Sequence, residues 1–455
     1  MRNKTAAAPP QISGRTADEI VDSVRGLIDS GRLQAGDALP PARDLAHTLE
    51  VNRNTVLSAY RRLSVSGLAV TRGRGGTSVA RNQPTATEGF SPGTVLRDIG
   101  NGNPDPHLLP DLRPALAQSA GDPVLYGAPV IDPGLAAWAT DWLGEDLDRS
   151  FDLSLAAGAV DAVERLLAQA LTPGDAVALE DPCFLTSVQT VQLAGYRILP
   201  VAVDEQGLTP DGLRAALGSG ARAVVCTPRA HNPTGASLNA QRAAELRAVL
   251  ADHPYVLVIA DDHFSRLSTS AYQSIVGPEH QRWALVRSVS KFLGPDLRLA
   301  LIAADPKTTE RLSARLAPGV TWVSHLLQRL ALGLLSDADT QAAIDRAREH
   351  YAERNRAFAA LLERHGIPAC AGDGLNLWLD TGCEARTTHE ALMRKGWLAR
   401  TGDEFALTAS APSRHLRLTI HDLDEASAQS LADALADALT DARGTEPAHP
   451  DRSRR

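Results

Sequence analysis

Short apolar runs alternate with amphipathic stretches through most of the chain. The runs at 176–180, 197–203, 223–227, 256–260, 285–288 and 299–303 predict buried strands. Between them, the stretches at 159–170, 213–217 and 239–251 carry apolar residues at helical spacing. This alternation predicts an α/β fold in which a mostly parallel sheet lies between helices.

The last hundred residues change in pattern. An amphipathic helix is predicted at about 342–362, strands at 366–379 and 400–406, and a final Ala/Leu-rich helix at 425–439. They predict a small α+β subdomain at about 340–440 within a large domain that spans 94–440. Residues 441–455 are polar with two prolines, and we expect a disordered tail there.

The first eighty residues have a different organisation, with three short helices and a hairpin. Apolar residues repeat at helical spacing from Ile20 to Ile28, a second helix begins at Pro40 and Pro41, and a third buries Val56, Tyr60 and Leu63. Two β-like runs, 68–71 and 77–79, then flank a glycine-rich turn. The pattern predicts a winged helix-turn-helix at 15–80, preceded by a disordered segment (1–14) and followed by a polar linker (81–93).

Charge is unevenly distributed and separates the two parts. The whole chain carries a net charge of -8, whereas residues 1–80 hold 11 Lys/Arg against 7 Asp/Glu. Residues 51–81 contain six arginines and no acidic residue. A basic surface on one small domain indicates a polyanion as its partner, and the helix-turn-helix predicted there indicates double-stranded DNA. Arg53 and Asn54, at the start of the third helix, can read base edges, and Arg72 and Arg74 suit phosphates.

Composition excludes several classes of protein. Apolar content of 44% and charged content of 22% are those of a globular chain, and no apolar run is long enough to span a membrane. The four cysteines show neither disulfide nor metal-ligand spacing. We therefore expect a cytoplasmic protein with no metal site and no membrane partner.

The segment from Ser288 to Arg298 is the candidate chemical centre. Lys291 could join its amine to an aldehyde in a dry site. Ser288, Ser290 and Arg298 could hold a phosphate beside it. An aldehyde and a phosphate on one small molecule describe pyridoxal 5'-phosphate (PLP).

Further candidates follow other predicted strands, where ligands bind in α/β sheets. The amides of Ala159 and Val160 start a helix and can hold a phosphate. Asp261 or Asp262 could pair a pyridinium nitrogen, and we favour Asp261. The remaining candidates are Asn232 for the ring hydroxyl, Phe184 for the ring face and Arg417 for a carboxylate.

The N-terminal stretch resembles the GntR winged-helix family. The matching positions include Leu39-Pro40, Arg43, Leu45-Ala46, Arg53, Thr55-Val56 and Gly73-x-Gly75. The resemblance implies that DNA is contacted by Arg43, Arg53 and Thr55 and by four residues of the wing, which are Arg72, Gly73, Arg74 and Gly75.

The large domain resembles the fold-type I PLP-dependent aminotransferases, in the order Gly158, Asn232, Asp261, Lys291, Arg298, Arg417. The resemblance implies that Lys291 is the internal-aldimine lysine and that the other candidates keep the roles given above. It also implies that Tyr126 reaches the cofactor phosphate of a neighbouring subunit, hence a homodimer.

Three features depart from the family pattern, one of them near Ala156 and Ala157, where a serine or threonine is common. His263 stands where a tyrosine is usual, and Asp296 replaces a glycine. His263 could still contact the ring oxygen, and an imidazole titrates near pH 6.5 in its ordinary state, so we expect pH-sensitive cofactor absorbance at about pH 6–7. These departures are compatible with cofactor binding and argue against efficient transamination.

A GntR-type winged helix followed by an aminotransferase-like domain is similar to the MocR family of transcriptional regulators. The resemblance implies a regulator whose operator binding responds to PLP or to an amine or amino-acid effector, and a weaker likeness at Asn103–Pro110 suggests genes of vitamin B6 metabolism. The alternative is a working aminotransferase with an accessory DNA-binding domain. The operator, the target genes and the choice between activation and repression are left open by the sequence.

Overall fold

The computed structural model describes residues 11–66, 68–71, 76–79, 88–91, 93–316, 322–408 and 411–445. The chain divides into two compact units, one with residues 1–86 and the other with most of the rest. The predicted wing-tip contacts Arg72, Gly73, Arg74 and Gly75 lie outside the described residues. So do most of the predicted linker and the outer parts of both chain ends.

The N-terminal unit has the predicted helices and hairpin. Its elements are α1 (Ala17–Asp29), α2 (Ala42–Thr48), α3 (Arg53–Val65), β1 (Ala69–Thr71) and β2 (Thr77–Val79). The Thr16 side chain accepts a hydrogen bond from the Glu19 amide and so caps α1, and the Asn52 side chain caps α3 in the same way. The two strands pair antiparallel, as a wing requires.

Apolar side chains from all three helices form the core of this unit. Ile20, Val24, Val56 and Leu63 are fully buried. Ile12 is also buried in this core, although the sequence analysis assigned residues 1–14 to a disordered segment. A single isoleucine in polar surroundings gives no periodicity, so its burial was not predictable from the pattern.

An eight-stranded sheet forms the centre of the larger unit. Its strands are β4 (Asp152–Ala156), β5 (Ala176–Asp181), β6 (Arg197–Asp204), β7 (Gly207–Leu208), β8 (Ala221–Cys226), β9 (Leu257–Asp261), β10 (Trp283–Ser288) and β11 (Ala300–Ala304), preceded in the chain by the short β3 (Arg97–Asp98) of another sheet. Their order is β4-β11-β10-β9-β8-β5-β6-β7. The central strands β5, β8, β9 and β10 are parallel, and β11 is antiparallel to both of its neighbours.

Helices cover this sheet. They are α4 (Arg113–Ser119), α5 (Pro133–Gly144), α6 (Ala159–Ala168), α7 (Leu185–Leu193), α8 (Pro210–Gly218), α9 (Ala240–Ala251), α10 (Pro306–Leu316) and α11 (His325–Ser336). The strands are buried along nearly their whole length, for example β10 and β11 at every residue, because helices pack on both faces of a parallel sheet. The predicted fold class is confirmed.

The C-terminal part forms a smaller α+β layer. It comprises α12 (Ala338–Arg364), β12 (Asn376–Asp380), α13 (Ala385–Arg394), β13 (Trp397–Leu398), β14 (Arg400–Thr401), β15 (His415–Thr419) and α14 (Glu425–Thr445). Strands β12, β15 and β14 form one sheet, and β13 pairs with β3. The strands predicted at 366–379 and 400–406 are shorter than expected. The final helix extends to Thr445, so the predicted tail at 441–455 begins too early. No helix within the described ranges is long and apolar enough to cross a membrane.

Candidate functional site

Lys291 lies directly after β10, at the edge of the sheet where the parallel strands end. Its Nζ donates a hydrogen bond to the carbonyl oxygen of Gly102, 2.9 Å away. Burial lowers the pKa of the Lys291 amine, the Glu88 carboxylate raises it, and the charge of Arg417 lowers it further. A lowered pKa increases the fraction of neutral, nucleophilic amine near neutral pH.

Asp261 is the last residue of β9 and Asp262 the first residue after it, and the two have different environments. Asp262 is fully buried and accepts hydrogen bonds from Arg229 at 2.8 and 2.9 Å and from Arg287 at 2.9 Å. Burial raises the pKa of Asp262, but these two guanidinium groups more than offset it, so the pKa is lowered. Asp262 therefore has a structural role as the anion of a buried ion-pair network.

Asp261 is buried without such partners. Its Oδ1 has no hydrogen-bonding partner among the residues that the structure describes. Burial, followed by repulsion from Asp262 and Glu180, raises the pKa of Asp261 to about 7. An unpaired buried carboxyl of this kind is costly unless a ligand supplies a donor, and a ring N–H is a suitable one.

The predicted phosphate-binding residues lie in or next to three neighbouring strands, β10, β11 and β4. Ser288 is paired with Ala300 in β11, and Ala300 is paired with Ala156 in β4. Ser290, Arg298 and the start of α6 are in the loops next to these paired strand ends. They therefore lie at the same edge of the sheet as Ser288. The Ser288 and Ser290 hydroxyls are 3.0 Å apart.

Gly158 and Arg298 form one side of this predicted phosphate-binding site, the phosphate cradle. Gly158 precedes α6 with a φ of 97°, and a Cβ there would lie 3.1 Å from a guanidinium nitrogen of Arg298. Arg298 donates to the carbonyl of Ala157 at 2.9 Å. The start of α6 at Ala159 and Val160 follows Gly158 directly, and backbone amides and the helix dipole there favour an anion.

Arg417 in β15 is fully buried and already holds a carboxylate. Its two terminal nitrogens donate to the two carboxylate oxygens of Glu88 at 2.7 and 2.9 Å. One of them also donates to Asn232 Oδ1 at 3.0 Å and the other to the Gly100 carbonyl at 2.6 Å. The guanidinium lies over the ring of Phe405, 4.8 Å from its centroid.

His263 is half-buried and shares a small cavity with Lys291 and Asn232. Burial, with a contribution from the charge of Lys291, lowers the pKa of His263 to about 4. The expected titration at about pH 6–7 is therefore wrong, because the imidazole is already neutral there.

Two predicted aromatic residues, Phe184 and Tyr126, are not among the residues that line the cavity of Lys291. Phe184 is half-buried in the turn between β5 and α7. Tyr126 is 94% exposed and makes an edge contact with Trp322 at 5.6 Å. The role of Tyr126 at a neighbouring subunit stays a prediction.

Several contributors escaped the sequence analysis. Glu88 lies in the stretch that was interpreted as a flexible linker, and Gly102 provides a carbonyl to Lys291. Arg229 and Arg287 are far apart in the chain, and both pair with Asp262. No local pattern could have indicated these pairs, because each joins residues that are distant in the sequence.

The N-terminal unit presents its predicted DNA contacts at one end of α3. Arg53 and Asn54 are exposed in the first turn of this helix, Thr55 is half-buried, and Arg43 is exposed on α2. An N-terminal turn with exposed Arg and Asn is the part of a recognition helix that contacts base edges.

Comparison with known families identifies the class of protein. Residues 97–435 match the family "Aminotransferase class I and II", and residues 16–79 match "Bacterial regulatory proteins, gntR family". The chain belongs to the aminotransferase class I and II family and carries a GntR helix-turn-helix domain. It is a DNA-binding transcriptional regulator of the MocR type.

The curated relatives have the same organisation. The chain is 47% identical over 422 residues to the vitamin B6 salvage pathway transcriptional repressor PtsJ of Salmonella typhimurium, covering 92% of this chain and 98% of that protein. It is 24% identical to the probable rhizopine catabolism regulatory protein MocR of Rhizobium meliloti, over 76% of this chain and 77% of that one.

Solved structures support the fold of the larger unit. A kynurenine aminotransferase of Pyrococcus horikoshii superposes with a TM-score of 0.69 at 19% identity, over 78% of this chain and 93% of its own. The α-aminoadipate aminotransferase LysN of Thermus thermophilus gives 0.66 at 22% identity, over 77% and 94%. The larger unit therefore has the fold of a PLP-dependent aminotransferase.

Proposed function

We propose that this regulator binds PLP through Lys291 and that the bound cofactor controls its affinity for an operator. The observation that carries the proposal is Asp261, a buried carboxyl with an unpartnered oxygen and a pKa of about 7. A protonated pyridine nitrogen would give this oxygen its missing hydrogen bond and would restore the low pKa of an ion-paired carboxylate.

The other groups of the site fit the rest of the cofactor. Arg298, Ser288, Ser290 and the amides of Ala159 and Val160 are suited to the phosphate. Asn232 and His263 share a cavity with Lys291 and would contact the ring hydroxyl, and Phe184 would stack on the ring. When bound, PLP supplies an aldehyde for the lysine amine and an electron-withdrawing ring.

The control of DNA binding would follow from linkage. PLP can change operator affinity only by its differential affinity for two arrangements of the protein. PtsJ is named as a repressor of vitamin B6 salvage, and this similarity favours PLP as the effector, vitamin B6 genes as targets and repression as the sign.

A homodimer and a cytoplasmic location complete the proposal. Leu125, Tyr126 and Leu326 are large apolar residues that are mainly exposed in the single chain. A dimer would cover them and would bring Tyr126 to the partner's cofactor phosphate. Two copies of the winged helix would also match a two-fold symmetric operator, and a protein that binds genomic DNA would work in the cytoplasm.

A second candidate function is amino-acid transamination. Arg417 favours it, because a buried guanidinium at hydrogen-bonding distance from Asn232 is suited to an α-carboxylate. The test is whether amino donors convert the yellow cofactor to its colourless amine form. Conversion in a single turnover would support this alternative.

The proposal is tested by a DNA-binding titration with and without PLP. Wild-type protein should be yellow, borohydride should fix the cofactor on Lys291, and PLP should change operator affinity. Lys291→Ala should lose the covalent label and the response. Lys307→Ala, a change of an exposed lysine on α10, should behave as wild type. A response of Lys291→Ala equal to that of wild type would refute the role of this lysine.

A further inference from the structure

Glu88 occupies the position at Arg417 where the carboxylate of a ligand would bind. Both of its oxygens accept hydrogen bonds from the terminal nitrogens of Arg417, which is the fork geometry of an arginine that binds a free carboxylate. Asn232 also faces this carboxylate, with its amide nitrogen 3.5 Å from Glu88 Oε1. The side chain of Glu88 is only 19% exposed, and that of Arg417 is fully buried.

The surroundings of Glu88 favour an anion at this point. Burial raises the pKa of the Glu88 carboxyl, but the charge and hydrogen bonds of Arg417, together with the charges of Lys291 and Arg400, lower it below its ordinary value. Glu88 therefore remains a carboxylate near neutral pH. A buried arginine without an anion would be costly, so the site requires either Glu88 or another carboxylate.

The backbone around Glu88 is held in place as well. A Cβ at Gly102, where φ is 67°, would lie 2.6 Å from Glu88 Oε2 and 3.0 Å from an Arg417 nitrogen. Only glycine leaves room for the pair. The Gly89 amide donates to the Asn101 carbonyl at 2.8 Å, and the Ser91 amide donates to Asp98 at 2.7 Å. Hydrogen bonds therefore also hold the residues that follow Glu88.

We infer that Glu88 is a specificity-determining residue, an internal carboxylate that keeps amino acids and other free carboxylates off Arg417. A carboxylate ligand must displace Glu88, and its apparent affinity is reduced by the fraction of molecules in which Arg417 is free. The inference goes beyond the proposed function, since it closes the site to amino acids while leaving the phosphate and ring positions accessible. It also gives a physical reason for a regulator that senses the cofactor and does not turn over amino acids.

The first test measures carboxylate binding to the full-length protein by ligand-detected NMR. The probes are propionate, its neutral analogue propionamide, and L-alanine, which has the same carboxylate with an amine. Glu88→Ala and Glu88→Gln should bind propionate and L-alanine roughly tenfold or more tightly than wild type does, and propionamide affinity should not change. Glu88→Asp retains the charge with a shorter side chain and should lie between.

The matched control is Glu245→Gln. Glu245 also pairs with an arginine, Arg242, at 3.5 Å, but it lies on α9 outside the site. This variant should bind propionate as wild type does. Circular dichroism and yellow colour on addition of PLP show that each variant is folded with an intact cofactor site.

The outcomes separate the inference from the proposed function. The inference is overturned if wild type, Glu88→Ala and Glu88→Gln bind propionate with equal affinity. It is also overturned if Glu88→Ala and Glu88→Gln bind PLP but do not bind propionate. Failure of wild-type protein to bind PLP overturns the proposed function instead, because propionate binding at Arg417 is measured without cofactor.

Discussion

Asp261 and Asp262 are adjacent in the chain, but only one of them is electrostatically satisfied. Asp262 is paired with Arg229 and Arg287 and has a lowered pKa. Asp261 keeps an unpartnered oxygen within the described part of the chain, and its pKa is raised to about 7. Asp261 is the last residue of β9 and Asp262 the first residue beyond it, and only the carboxyl of Asp262 lies against two guanidinium groups.

The two aspartates should therefore respond differently to the same substitution. Asp262→Asn should lower the free energy of unfolding by about 3–5 kcal/mol, because it leaves two buried guanidinium groups without an anion. Asp261→Asn should leave the stability of cofactor-free protein unchanged or raised, and should weaken PLP binding. Chemical denaturation and a PLP titration measure the two effects. The reverse pattern would assign the ring-nitrogen contact to Asp262.

The pH dependence of stability gives a second prediction about Asp261. Its pKa in the folded state is about 7, above its ordinary value of 3.8, so the folded protein binds the extra proton. The contribution of Asp261 to the free energy of unfolding is therefore complete below about pH 3.8 and is lost as the pH rises towards 7. Asp261→Asn should remove this decrease in cofactor-free protein. An unaltered profile of unfolding free energy against pH would contradict it.

His263 should contribute the opposite slope. Its pKa is about 4 in the folded state against an ordinary value of 6.5, so the unfolded chain binds more protons between these values. Stability is complete above about pH 6.5 and is lost as pH falls towards 4. His263→Phe should reduce this acid-side loss of stability and leave the pH dependence of cofactor absorbance between pH 6 and 8 unchanged. A change of the absorbance titration in this range would show that the imidazole does titrate there.

The sequence predicted much of the fold because its signals are local. Apolar runs located six strands of the large sheet to within two residues, although the strands predicted at 366–379 and 400–406 were too long. Lys291 was found from a short motif whose residues stay together in the loop after β10. Ser288 and Ala156 are brought near each other because both pair with Ala300 of β11. This strand order could be expected from the resemblance to a known fold.

The partners of these residues were not predictable in the same way. Glu88 and Arg417 are 329 positions apart, and nothing in a polar connector distinguishes a glutamate that folds back from one exposed to water. The pKa of His263 has the same origin, since desolvation depends on neighbours from several elements. Long-range electrostatics is therefore the part of the site that requires a structure.

The phosphate cradle gives a prediction about cofactor affinity. Arg298→Ala should weaken PLP binding by about 1.5–3 kcal/mol, the usual range for a hydrogen bond to a charged group. The control is Arg214→Ala, since Arg214 pairs with Asp211 on the surface. Equilibrium dialysis with PLP and with pyridoxal, which lacks the phosphate, measures the effect. Arg298→Ala should affect pyridoxal far less, and an equal loss for both ligands would place Arg298 away from the phosphate.

The recognition helix gives the last prediction. Arg53 is exposed at the start of α3, where a guanidinium reaches either a base edge or a phosphate. Arg53→Ala should cost about 1–3 kcal/mol of operator affinity and relax specificity at one position if Arg53 reads a base. If it contacts a phosphate, the loss should be similar for all sequences and the salt dependence of log K should fall by about one. Arg25→Ala, on the exposed side of α1, is the control, and fluorescence anisotropy at several salt concentrations separates the cases. Operator affinity equal to that of wild type at every salt concentration would remove Arg53 from the DNA interface.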